Sequence, residues 1–126
     1  MIINSDKIEL FQNISQFDFE KIKFDFHNDF NCVKVKFHNN ILLLLFQSIV
    51  SKFIVSLSFQ KTTLTFFEFE CREAVEALTI DNLYRGRFEN DGKLIEFENN
   101  RGYFYLEFYE GQKIEFWSEC LVVVKE

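Results

Sequence analysis

The sequence predicts an all-β protein, one antiparallel β-sandwich or flattened barrel of about nine or ten strands filling residues 1–126 as a single domain. Three observations carry this. Eighteen Phe, with no Pro and four Gly, supply core volume in a residue type that suits pleated strands. Apolar and polar residues alternate with period two along most of the chain. Turn dipeptides fall between the alternating stretches so that the implied registers agree, above all in a meander expected from Leu83 to Glu126. The excess of Phe, Asn, Lys and Ile also matches A/T-rich codons, so part of the Phe content needs no structural cause.

Ile8 to Ile14 is weakly patterned and reads as a first edge strand or a short irregular arm. Phe17 and Phe19 open an alternation whose phase shifts at Glu20-Lys21 and resumes at Ile22, Phe24 and Phe26, as a bulge or turn would produce. After a polar loop from His27 to Asn31, Val33, Val35 and Phe37 alternate with Lys34, Lys36 and His38 in a half-exposed strand. Asn39-Asn40 is a type I′ turn candidate, because Asn tolerates the positive φ that both central positions need; it sets Phe37 opposite Leu42 and Val35 opposite Leu44. Ile41 to Phe46 is apolar on both faces and is expected in the middle of the fold, covered on each side. Phe53, Val55, Leu57 and Phe59 alternate with Ile54, Ser56, Ser58 and Gln60, and Lys61 to Thr63 turns the chain into a strand from Leu64 to Glu70. Ala74, Val75 and Leu78 then take helical spacing between Glu73 and Glu76, so a short helix of about two turns is expected near 72–78.

Asp81-Asn82 punctuates the chain before the meander. A two-residue turn at Asp91-Gly92 sets Phe88 opposite Ile95 and Gly86 opposite Phe97 on the inner face, with Arg87 opposite Glu96 and Arg85 opposite Glu98 on the outer. A four-residue connection from Asn99 to Gly102 then sets Phe97 opposite Phe104, Ile95 opposite Leu106, Glu96 opposite Tyr105 and Glu98 opposite Tyr103. A three-residue loop, Glu110-Gly111-Gln112, sets Phe108 opposite Ile114, Leu106 opposite Phe116, Glu107 opposite Glu115 and Tyr105 opposite Trp117. Leu121 to Val124 closes the chain as an apolar strand expected to dock centrally or through a bulge.

Composition limits function. A net charge of −6, from 20 acidic and 14 basic residues, argues against a nucleic-acid partner and allows a basic protein partner. Asp6, Lys7 and Glu9 interrupt any signal-peptide core in Met1 to Leu10, and the longest apolar run, Ile41 to Phe46, is far short of the roughly 20 residues that span a bilayer. A soluble cytoplasmic protein with no membrane partner is expected. Cys32, Cys71 and Cys120, odd in number and unrelated in spacing, read as reduced thiols. His27, Cys32 and His38 are the only group with metal-like spacing, and a loop His, a strand-end His and an inert thiol account for them. There is no nucleophile elbow, no Cys beside a His and no phosphate loop; the carboxylates are too many and too dispersed to mark one acid and one base. No enzyme, metal or cofactor is expected.

The outer face of the meander is the candidate site. The registers display on it Arg85, Arg87, Glu96, Glu98, Tyr103, Tyr105, Glu107, Tyr109, Glu115, Trp117 and Glu119. Tyr and Trp offer large contact area with few rotors and carboxylates offer charge complementarity, so the mixture suits either a protein-docking surface or an ordinary solvated sheet face. Like charges at Glu107 and Glu115 would call for a cation outside the pair, either Arg85, Arg87 or Lys113 locally or a basic partner on binding. The segments Leu83-Tyr84-Arg85-Gly86-Arg87-Phe88-Glu89, Gly102-Tyr103-Phe104-Tyr105-Leu106-Glu107-Phe108 and Ile114-Glu115-Phe116-Trp117 resemble those of small acidic all-β bacterial proteins, among them uncharacterised families and immunity proteins of polymorphic toxin systems. The resemblance covers about the last third of the chain and implies a protein that neutralises a basic toxin by covering its active site. Two alternatives stand beside it: a β-barrel enclosing a small apolar ligand, as fatty-acid-binding proteins and lipocalins do, and a structural or assembly module that self-associates through an edge at Ile8 to Ile14. Oligomeric state and partner identity are open.

Overall fold

The computed structural model describes residues 1–19, 21–69 and 78–126. Strands are numbered in chain order. One five-stranded sheet, A, runs β1 (Ile2–Asn4), β14 (Cys120–Lys125), β6 (Ile54–Gln60), β5 (Ile41–Ser48), β4 (Phe30–His38). The other, B, holds β12 (Arg101–Phe108) between β13 (Lys113–Ser118), which pairs on to β7 (Thr63–Glu68), and an edge shared by β8 (Ile80–Gly86) and the two-residue β11 (Phe97–Glu98). Two hairpins stand apart: β2 (Gln16–Phe19) with β3 (Ile22–Asp25), and β9 (Phe88–Asn90) with β10 (Lys93–Ile95). Among the described residues a single 3-10 turn spans Ser5–Lys7. Every strand pair is antiparallel.

The all-β expectation is met, as a sandwich of two open sheets, and among the described residues no closed barrel forms. The inward side chains of sheet A (Leu42, Leu44, Phe46, Val55, Leu57, Phe59, Leu121, Val123) share one core with those of sheet B (Leu83, Phe104, Leu106, Ile114, Phe116). Phe59 joins the layers, its ring 5.3 Å from Phe104 and 4.8 Å from Phe116. Phe24, Phe26 and Phe30 close one end against Phe46, with Phe26 and Phe46 4.6 Å apart. Phe is used here because edge and tilted ring contacts fill the gap between twisted sheets.

The layers are stitched where two adjacent strands change sheet together. β6 passes into β7 through Lys61-Thr62, and β13 into β14 through Glu119. Glu119 N–H donates to Gln60 O, Ser118 Oγ donates to the same carbonyl, and the Lys61 ammonium meets the Glu119 carboxylate at 3.0 Å. Glu119 therefore belongs to this corner and not to the expected outer face.

Three two-residue turns have positive φ at the residues that close them: Asn39 and Asn40 (51° and 60°), Asp91 and Gly92 (50° and 77°), Asn99 and Asn100 (51° and 64°). That is the type I′ signature, matched to strand twist. The first two appear as expected, with Phe37 opposite Leu42, Val35 opposite Leu44, and Phe88 opposite Ile95. The third replaces the expected four-residue connection, placing Phe97 opposite Gly102 and Glu98 opposite Arg101. The next loop is Tyr109-Glu110-Gly111, closed by Phe108 N–H on Gln112 O, with Gly111 at φ 104°. The β12–β13 register is thus two residues from the expected one: Leu106 faces Ile114, Tyr105 faces Glu115, Tyr103 faces Trp117, and Glu107 faces Lys113. A shift of two keeps every side chain on its face, so the inside-outside pattern survives while the partners change.

Other expectations need correction. The meander is cut into short pieces, giving more strands than nine or ten, because β8 and not β10 pairs with the length of β12. Asp81-Asn82 lies inside β8. β5 is second from the sheet edge, buried on one face only, with Ile41, Leu43 and Leu45 half-exposed on the other. Of the two readings of Ile8 to Ile14, the irregular arm holds and the edge strand does not: the segment runs along β8, bridging Leu10 to Arg85 and Asn13 to Tyr84. At the expected bulge or turn, β2 and β3 pair as a hairpin with Lys21 at φ 66°, while Glu20 lies outside the described residues. The helix expected near 72–78 falls outside the described residues up to position 77; Leu78 forms a bridge with Cys32. Among the described residues no helix is long and apolar enough to cross a membrane.

Candidate functional site

The outward face of sheet B is built on β8, β12 and β13, whose registers bring Tyr84 beside Tyr105 beside Glu115, and Gly86 beside Tyr103 beside Trp117. Tyr84 and Tyr105 stack at 5.1 Å between centroids, Tyr105 meets Tyr103 edge-on at 5.2 Å, and Tyr103 meets Trp117 at 4.9 Å. Phe11, from the amino-terminal arm, extends the series to Tyr84 at 6.4 Å. Such offset and edge contacts let the negative ring faces avoid one another.

Gly86 makes this packing possible. A Cβ there would lie 2.5 Å and 2.7 Å from Tyr105 Cε2 and Cδ2, so the ring occupies the space a side chain would take. Tyr105 Oη reaches across and donates to Arg87 O at 2.7 Å. Arg87 lies between β8 and β9, where the chain leaves the β12 ladder, and the phenol takes the carbonyl so released.

That departure changes the expected face. The β9–β10 hairpin folds back, and Phe88 packs on Tyr103 at 5.0 Å and Trp117 at 5.7 Å. Tyr103 and Trp117 lie on the predicted side of the sheet but are buried, 1% and 4% exposed. They are a second small core under the hairpin, not open anchors. Tyr103 Oη donates to Glu115 Oε1 at 2.9 Å and lies 2.5 Å from Thr65 Oγ1, which donates to Glu115 O. Burial foremost, and the Glu115 carboxylate with it, raises the Tyr103 phenol pKa. Replacing Phe88 by alanine is expected to uncover Trp117, the only Trp in the chain, at a cost of about 1–3 kcal/mol. Its emission should shift to longer wavelength and become quenchable by iodide with the far-ultraviolet circular dichroism unchanged. Emission that does not move would refute the shielding.

The arginines are also displaced from expectation. Arg85 has the parity of Leu83 and Phe104, so it points inward; it is 7% exposed and lies 4.7 Å over the Phe97 ring. The register expected from the Asp91-Gly92 turn puts it outside, opposite Glu98; β8 pairs with β12 instead, which turns it inward. Its charge is answered by Glu96 at 3.7 Å, and the same carboxylate meets Arg87 at 3.9 Å. Arg87 also lies 5.4 Å over Phe11. Glu96 is therefore a clasp at the root of the hairpin, Glu98 is exposed beside Arg101, and Tyr109 stands 75% exposed on the β12–β13 loop. The like-charge pair of Glu107 and Glu115 does not exist.

What stays open on this face is the half-buried Tyr84–Tyr105 stack with its carboxylates. Burial first, then Glu107 and Glu115, raises the Tyr84 phenol pKa; burial first, then Glu115, Tyr84 and Glu89, raises that of Tyr105. Both rings thus sit in the field of nearby carboxylates. Tyr84 and Glu89 were not singled out from the sequence. The available signal was that Tyr84, Gly86 and Phe88 share one parity, as do Leu83 and Arg85.

The possible metal ligands are separated by structure. His27 Nδ1 lies 2.6 Å from Ile80 O, the buried Cys32 thiol, its pKa pushed up to about 12 by burial, donates to Lys34 O, and His38 is exposed at the end of β4. Among the described residues no three His, Cys, Asp or Glu side chains gather as a metal site would require. No protein-family model, characterised protein or solved structure matches this chain.

Proposed function

We propose that the chain is a non-enzymatic cytoplasmic binding protein that docks a basic protein on the outer face of β8, β12 and β13, as an immunity protein occludes its toxin. The supporting observation is the Tyr84–Tyr105 stack in the field of Glu89, Glu107 and Glu115. A Lys or Arg of the partner laid on these rings gains cation–π attraction from the ring faces and Coulomb attraction from the carboxylates. The rings are held from behind by Gly86, Tyr103 and the Arg87 carbonyl, so little freedom is lost when the partner arrives. Opposite net charge speeds the encounter.

The test is capture of the partner from the native host, its identification, and titration calorimetry against variants. Tyr105→Ala should weaken binding by roughly 30-fold or more, the loss typical of a hot-spot aromatic. Glu89→Lys with Glu107→Lys should slow association and flatten its salt dependence while the fold is kept. An identified partner that binds both variants as tightly as the parent would remove this face from the mechanism.

A further inference from the structure

The opposite side of the molecule differs sharply in chemistry. On the outward face of sheet A, one cross-strand row reads Lys36, Leu43, Ser58, Val122, Ile2 across β4, β5, β6, β14 and β1. The adjacent row reads Lys34, Leu45, Ser56, Val124. Leu43, Leu45 and Val122 are half-exposed, Val124 is 45% exposed and Ile2 69% exposed. No outward position on these five strands carries a carboxylate, in a chain with 20 Asp and Glu. Contiguous apolar side chains bordered by polar ones mark an interaction site.

We infer that this face pairs with the same face of a second copy. A two-fold contact must be self-complementary, and these rows are laid out for it. β6 is the central strand, with the small Ser56 and Ser58, and each serine is flanked by one branched aliphatic on either side. A two-fold axis along β6 places Leu43 over the other copy's Val122 and Leu45 over its Val124, with serine facing serine. The lysines of β4 then lie at the rim, over β1, where the outward Ile2 side chain is apolar and the Met1 ammonium is tied to Val123 O at 3.0 Å. Charge also favours this face over any other for self-association, since two copies of net charge −6 repel and only here do the strands present no negative side chain. Five strands about 4.8 Å apart and about seven residues long give a footprint of roughly 500 Å² per copy, below the ~800 Å² of a standard interface. A footprint of that size belongs to weak, transient contacts.

Sedimentation equilibrium of the full chain from about 1 μM to about 1 mM tests this pairing. The expected result is a reversible monomer–dimer equilibrium that Ser58→Lys weakens by at least about tenfold, because the two lysines meet across the axis. Val124→Asp, at a more exposed position, should do the same and provides a second reading if Ser58→Lys fails to fold; Leu94→Gln, which removes an exposed apolar side chain from the β9–β10 hairpin outside sheet A, should leave the dimer unchanged. Monomer throughout the range, or a dimer indifferent to both sheet A variants, would overturn the inference. So would binding to vesicles of anionic phospholipid that is lost on Lys34→Glu with Lys36→Glu, which assigns the face to a membrane surface.

Discussion

Replacing Phe59 by alanine is expected to remove about 3–5 kcal/mol of stability, a large part of the roughly 5–15 kcal/mol that holds a domain of this size together. Phe59 is fully buried next to the end of β6, the central strand of sheet A, between Leu42 and Leu121 on the same inward face. Its ring touches both Phe104 and Phe116 across the sandwich, and those two stack on one another at 5.4 Å. Deleting the ring opens a void between two sheets whose backbones are pinned by ladders on either side of β6 and β12. Little can collapse into it, which puts the cost at the upper end of the large-to-small range. Phe59→Leu, which refills most of the volume, should cost less than half as much. Urea unfolding with unchanged m-value measures both. A loss below about 1 kcal/mol for the alanine would mean that Phe59 does not join the layers.

How much of this architecture the sequence reveals depends on which physical signal each residue carries. Asn39-Asn40 and Asp91-Gly92 are legible because positive φ at two consecutive positions is costly for most side chains, so the residue types announce the turn. Asn99-Asn100 carries the same signal, but reading the loop through Gly102 hid it. The β12–β13 faces are legible because period two survives a register shift of two; the partners are not, since Tyr105 opposite Glu115 or opposite Trp117 satisfies the alternation equally. Strand order is the least local property. That β8 and not β10 lies along β12 depends on Tyr105 filling the space over Gly86 and on the chain breaking away at Arg87, and no two-residue window records that. The candidate site inherits this limit: Tyr105, Glu107 and Glu115 are where alternation puts them, whereas Trp117 and Tyr103 are covered by a hairpin expected to continue the sheet.

Gly86→Ala isolates that non-local step and should both destabilise the fold and disable the aromatic face. Gly86 does not adopt a left-handed backbone, so alanine would by conformational entropy alone stabilise the strand by roughly 0.4–1 kcal/mol. The added methyl instead meets Tyr105 at 2.5 Å and Tyr84 at 3.4 Å, and the ladder between Gly86 and Tyr103 prevents the backbone from yielding. The Tyr105 ring has to swing away. Doing so breaks its bond to Arg87 O and its stack on Tyr84, each worth about 0.5–1.5 kcal/mol, so a net loss of about 1–2 kcal/mol remains after the entropic gain. A double-mutant cycle separates the steric cause from a general intolerance of β8. In a Tyr105→Ser background the space over Gly86 is free, and Gly86→Ala should become neutral or stabilising, giving a coupling of more than about 1 kcal/mol. Equal destabilisation in the two backgrounds would show that Tyr105 is not what requires a glycine at position 86.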